Sequence, residues 1–173
     1  MIKLKDIIQE IGDGSVKGFQ WQYQQESDHG HYQDYIYTFN GDKAVGIVAI
    51  GFVDNNEWDV AFGSIDKMTT NTDWTKLTNE GPFKVMATVT EIIKDFLDNT
   101  FAKYISDKNI KEDPSQLIPK KLSFNASKEK DVGVKGHGQR GKLYQAYLRK
   151  QFPSATISRE YAGGNGDAYI IKL

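Results

Sequence analysis

The chain has 173 residues, 39% hydrophobic and 26% charged, which predicts a single domain over residues 1–173 with a substantial core. Its 22 basic and 23 acidic residues leave a net charge of −1, which excludes a bulk attraction for nucleic acid or an anionic membrane. The absence of cysteine excludes disulfides and thiolate metal sites, and the longest apolar run, 44–53, is too short to span a bilayer.

The first half of the chain predicts a helix followed by four strands. Ile2–Ile11 has the spacing of a short amphipathic helix. Aromatic and β-branched residues then predict strands at 16–25, 32–39, 43–53 and 57–63. Asn40-Gly41 predicts a two-residue hairpin and Asp54-Asn55-Asn56 a second turn, so the last three strands should form an antiparallel meander.

The second half predicts two main helices, a strand and a closing hairpin. After a polar loop at 64–80, apolar side chains recur at helical spacing from Gly81 to Asn99: Val85, Met86, Val89, Ile92, Ile93, Phe96 and Leu97. A strand at 121–126, a helix at 138–151 and strands at 155–161 and 167–173 follow. The pattern predicts an α+β domain with a mostly antiparallel mixed sheet.

This order of elements resembles the GNAT acyltransferase fold, in which a meander leads to a helix, a strand, a second helix and a hairpin. Leu143-Tyr144 in the second helix is similar to the family's Leu-Tyr pair. The resemblance implies that Tyr144 is the general acid that protonates the departing thiolate of acetyl coenzyme A. His137 and Arg140 stand where the family usually has Asn and Ala.

The cofactor motif of that family is altered in this chain. In the family, the junction between strand and helix carries Gly-x-Gly or Gly-x-Ala, whose N–H groups hold the pyrophosphate. Here the junction has Gly81 alone, Pro82 removes one N–H donor, and the charge of Glu80 repels phosphate. The sequence therefore predicts the scaffold without a bound cofactor, with an acetyl coenzyme A-dependent N-acyltransferase as the alternative.

A second resemblance concerns the source of the chain. Phe124-Asn125-Ala126, a charged spacer and then Arg140-Gly141-Lys142-Leu143-Tyr144 are similar to segments of small uncharacterised bacteriophage proteins. The resemblance implies a viral, non-catalytic binding or structural protein. The partner of this chain would be a protein of the virion or the host. The chain itself would be located in the virion or the host cytoplasm.

The best candidate site in the sequence is the glycine-rich start of the second helix. Glycines and cations at a helix N-terminus favour anions, so Lys135, His137, Gly138, Arg140 and Lys142 are candidate anion-binding or partner-binding residues. A solvated loop explains the same residues, and Arg140 alternatively pairs with a carboxylate of the long helix. The surrounding Gly-x-Gly-x-x-Gly string lacks the context of a dinucleotide site.

Two other groups of residues in the sequence have the composition of a site. His29 and His31, with Asp28 and Asp34, offer metal donors, but a turn between strands explains them and no metal is expected. Aromatic residues also crowd the predicted sheet: Trp21, Tyr23, Tyr32, Tyr35, Tyr37, Trp58 and Phe62. Most of these aromatic side chains should lie in the core, and any that remain exposed on an open face of the sheet would predict a binding surface.

Overall fold

The computed structural model describes residues 16–28, 33–41, 44–65, 72–73, 82–101, 114–127, 139–161 and 166–173. The strands are β1 Trp21–Asp28, β2 Gln33–Asn40, β3 Val45–Asp54, β4 Glu57–Ile65, β5 Thr72–Asp73, β6 Lys121–Ser127, β7 Thr156–Tyr161 and β8 Gly166–Lys172. The helices are α1 Pro82–Asp95, which continues as a π-helical turn at Phe96–Thr100, the short α2 Pro114–Leu117, and α3 Gln139–Gln151.

The strands form one sheet in the order β1-β2-β3-β4-β6-β8-β7, with β5 attached to β4. Among the strands that the structure describes, β4 and β6 pair in parallel and all other neighbours are antiparallel. The predicted α+β class, with a mostly antiparallel mixed sheet and two main helices, is confirmed. None of the helices in the described ranges is long and apolar enough to cross a membrane.

The core lies between one face of the sheet and the two main helices. Side chains alternate along the strands, so every second residue enters this layer, including Tyr35, Tyr37, Val48, Ile50, Trp58, Leu122 and Ile171. From α1 and its π-helical turn come Val85, Met86, Val89, Ile92, Ile93 and Phe96, which confirms that these six residues of the predicted helical stripe are buried, while Leu97, its last member, is partly buried against the core. The helices α1 and α3 meet where the Lys94 ammonium donates to Gln151 Oε1 at 3.0 Å.

The two predicted turns of the meander have different outcomes. Asn55 and Asn56 have φ values of 40° and 66°, as a tight turn between paired strands requires, and this turn is confirmed. The two-residue turn at Asn40-Gly41 is wrong, because Asn40 pairs with Val45 and the connection is four residues long. There the Gly41 N–H donates to the carbonyl of Ala44 at 2.9 Å.

The first predicted strand also differs, because β1 begins at Trp21 rather than at residue 16. Residues 16–20 pack instead against α1, where the Phe19 N–H donates to Thr88 Oγ1 at 2.7 Å. This close approach depends on Gly18, where a β-carbon would lie 2.9 Å from the Thr88 backbone. A helix contact in this segment thus replaces pairing with a neighbouring strand.

Other predictions differ in detail or lie outside the described residues. The predicted loop at 64–80 contains β5, and the predicted helix at 81–99 changes to π-helical geometry at Phe96. The predicted N-terminal helix Ile2–Ile11 lies outside the described residues.

We expect Asn56→Ala to lower the free energy of unfolding by about 1–2 kcal/mol. The Asn56 amide donates to the carbonyls of Ser115 at 2.6 Å and Ile118 at 2.9 Å, which anchors α2 to the β3–β4 turn. Alanine loses both bonds and also tolerates the positive φ poorly. Denaturant unfolding measures the loss.

Asn55→Gly is the matched control, because glycine accepts a positive φ at Asn55 and should leave the stability unchanged or raise it. Equal losses for the two variants would contradict an anchoring role for Asn56.

Candidate functional site

The parallel pairing of β4 with β6 is short, and we call the region between the two strands beyond their paired residues the wedge. The strands pair only from Glu57–Lys121 to Asp59–Ser123, and beyond that point the pairing stops. Polar contacts hold the paired end together, since Lys121 Nζ lies 2.8 Å from Glu57 Oε2 and Ser123 Oγ donates to Asp59 Oδ1 at 3.1 Å.

The chain itself fills this wedge in two ways. At the far end of β4, Ser64 and Ile65 pair with β5, which therefore occupies the edge that β6 has left. On the helix side, the rings of Phe62, Phe124 and Tyr144 lie with centroids 6.2–6.3 Å apart. Phe124 also stacks on Tyr169 at 5.3 Å. The wedge is thus lined by aromatic rings and bounded at both ends by backbone pairing.

Tyr144, the candidate general acid, is held in this aromatic cluster. It lies on α3, is 6% exposed, and contacts a ring from each wall of the wedge. The Leu-Tyr motif singled out Tyr144 in the sequence, but nothing in the sequence indicated that Phe62 and Phe124 surround it.

The predicted cationic site lies largely outside the described residues. Lys135, His137 and Gly138 precede the described part of α3. Arg140 and Lys142 lie in the first turn of α3, and their side chains are outside the described set. The anion-binding or partner-binding role of these five residues stays a prediction, as does the pairing of Arg140 with the long helix.

The possible metal donors and most of the cofactor junction also lie outside the described residues. His29 and His31 lie outside the described residues, and so do Glu80 and Gly81, while Pro82 is the first residue of α1. Within the described ranges, no group of three or more His, Asp or Glu side chains is placed to hold a metal.

A hydrogen-bonded network lies at the π-helical turn. The Tyr37 hydroxyl donates to Thr100 Oγ1 at 3.0 Å, and the Thr100 hydroxyl donates to Asp95 Oδ2 at 3.2 Å. Asp95 Oδ1 also accepts a bond from Asn99 Nδ2 at 2.8 Å. Burial raises the pKa of Tyr37 far above its ordinary value, and the Asp95 charge adds to the rise, although the bond with Thr100 opposes it. Burial likewise raises the pKa of Tyr147, with a further contribution from the Glu91 charge.

We expect Tyr37 to make the fold sensitive to alkaline pH. Below about pH 10 the hydroxyl is protonated in both states, and above it the unfolded chain loses this proton first. The contribution of Tyr37 to stability is therefore full below the ordinary tyrosine pKa and is lost as pH rises towards the raised value. Denaturant unfolding of the wild type and Tyr37→Phe, from about pH 9 to about pH 11, measures this contribution.

The stability difference between the wild type and Tyr37→Phe should shrink as the pH rises. The comparison cancels the titration of the other tyrosines in the unfolded chain. A difference that stays constant across this pH range would contradict the raised pKa.

Comparisons with known proteins identify no relative. No protein-family model, no curated protein and no solved structure matches this chain.

Proposed function

We propose that this chain is a non-catalytic binding protein built on a GNAT-like scaffold. It would act in a bacteriophage as a structural or accessory protein with a protein partner from the virion or the host. The sheet order and the parallel pairing of β4 with β6 support the scaffold, because the acyltransferase resemblance expects one crossover helix between β4 and β6 and another after β6.

The main observation in favour of a non-catalytic function is that β5 and aromatic rings occupy the wedge. A coenzyme arm between β4 and β6 needs a free strand edge and an open path to the general acid. Here β5 takes the edge at Ser64 and Ile65, and the rings of Phe62 and Phe124 flank the buried Tyr144. Pro82 at the first position of α1 adds to this, because proline offers no N–H to a pyrophosphate.

The alternative is an N-acyltransferase that uses acetyl coenzyme A through an altered site. The position of Tyr144 favours it, because this side chain reaches the divergence of the two parallel strands from α3, as a general acid would. In that case the aromatic cluster would have to open before the coenzyme entered.

Thiol release from acetyl coenzyme A, measured with a panel of amine acceptors, distinguishes the two functions. The binding protein should release no thiol above the buffer rate. Turnover that falls about 100-fold in Tyr144→Phe would establish the acyltransferase, since loss of a general acid has an effect of that order. Tyr147→Phe, on the same helix, is the matched control.

Affinity capture from infected or expressing cells tests the binding role directly. The tagged chain should retain a specific protein that excess untagged chain displaces. Failure to retain any protein from either kind of cell would contradict a protein-binding function.

A further inference from the structure

An aromatic strip begins at an open groove between α1 and residues 17–21, the segment that leads into β1. The strip consists of Phe19, Trp21 and Tyr23, which alternate along the chain, and β1 is an edge strand of the sheet. Phe19 is buried, Trp21 is half-buried and Tyr23 is 39% exposed, so exposure increases along the strip. The groove is lined by Lys17, Gly18, Phe19, Gln20, Trp21 and Glu91.

The first ring of the strip already holds a cation from the chain itself. Lys84 Nζ lies 4.1 Å from the centroid of the Phe19 ring, a distance typical of a cation–π contact. Trp21 is the next ring in the row and offers the more favourable indole face. Within the described residues, no cation lies over Trp21, whose ring contact is an edge-on one with Tyr37 at 5.7 Å.

A carboxylate is placed on the opposite wall of the groove. Glu91 is exposed on α1, and its Oε1 accepts a long bond of 3.4 Å from the Gly18 N–H, which keeps the carboxylate at the groove. Among the described residues, no Lys or Arg lies within ion-pair distance of Glu91, although Lys17 lines the same groove. Asp95 lies one helical turn further along α1 and adds negative charge near Tyr37.

We propose that this groove binds an arginine or lysine side chain on a basic segment of a protein partner. The cation would lie over the Trp21 indole and against the Glu91 carboxylate, which repeats on the neighbouring ring the arrangement of Lys84 over Phe19. An aromatic face and a carboxylate together favour a cation over an anion. The inference rests on the proposed function only in taking the occupant to be a protein.

A short arginine peptide is the probe, with a glutamate peptide of equal length as its counterpart. We expect the full chain to bind the arginine peptide in calorimetric titration at low ionic strength. Glu91→Gln and Trp21→Leu should each weaken binding about fivefold, as expected for one exposed charge pair or one cation–π contact. Lys17→Gln should strengthen it, because it removes the competing cation.

Glu160→Gln on β7, at the opposite edge of the sheet, is the matched control and should leave the affinity unchanged. Equal affinities for the Glu91→Gln and Glu160→Gln variants, tighter binding of the glutamate peptide, or no binding of the arginine peptide would each overturn the proposal. Circular dichroism verifies that each variant is folded. Because the peptide titration needs no cellular partner, its failure is distinguishable from a failure of the capture experiment.

Discussion

Trp58→Ala should lower the free energy of unfolding by about 3–5 kcal/mol, the range for removing a large aromatic side chain from a core. Trp58 is 2% exposed on β4 and lies at the centre of the aromatic core. Its ring centroid is 5.1 Å from that of Phe96 and 5.5 Å from that of Phe101, so truncation would leave a cavity between sheet and helix. Equilibrium unfolding in denaturant gives the loss.

Two further variants separate the contributions of Trp58. The indole Nε1–H donates to the Leu117 carbonyl at 2.9 Å, and Trp58→Phe keeps much of the ring while leaving that buried carbonyl without its donor. We expect this variant to lose about 1–3 kcal/mol. Val53→Ala, at a side chain that is 46% exposed, should change stability by less than about 0.5 kcal/mol. A Trp58→Ala loss no larger than that of Val53→Ala would contradict the packing described here.

Ile92→Ala should lower the free energy of unfolding by about 2–5 kcal/mol. Ile92 has no exposed surface and lies in the middle of the apolar face of α1. Truncation removes apolar contacts and leaves a cavity that the sheet can fill only in part. The measurement is again equilibrium unfolding, with the denaturant dependence checked for a change of slope.

Ile118→Ala provides the same substitution at a side chain that is 45% exposed. It should change the stability by only a few tenths of a kcal/mol, or about 0.5 kcal/mol at most. A loss below about 0.5 kcal/mol for Ile92→Ala would show that the helical stripe is not buried.

Local patterns in the sequence were enough to predict most of the fold. The apolar spacing from Val85 to Phe96 specifies a helix with one buried face, and this spacing depends only on neighbouring residues. The alternation in β2 to β4 and the turn at Asn55-Asn56 are likewise local. The strand predicted at 121–126 is confirmed as β6, whose Leu122 and Phe124 are both buried.

Features that depend on distant contacts were not predictable in the same way. Strand β5 has only two residues, and it exists because Ser64 and Ile65 offer a free edge. Residues 16–20 have the composition of a strand, but the Phe19 N–H finds its acceptor 69 residues away on α1. The change to π-helical geometry at Phe96 has no signal in the apolar spacing.

The candidate sites also combine features that the local sequence predicts with features that depend on distant contacts. Tyr144 was found through its local Leu-Tyr motif, whereas Phe62 and Phe124 reach it from separate strands. The many aromatic residues were visible in the sequence, but Trp21 and Glu91 line one groove only because the fold brings residues 17–21 against α1. The spacing of the aromatic residues in the sequence does not predict which of them remain exposed.

Calorimetric titration of acetyl coenzyme A into the full chain tests the central claim most directly. The filled wedge and Pro82 predict no saturable binding tighter than about 1 mM. The same titration of Tyr144→Phe should be indistinguishable from the wild type. A dissociation constant in the low micromolar range for the wild type would contradict the non-catalytic function and make Tyr144 the leading catalytic residue.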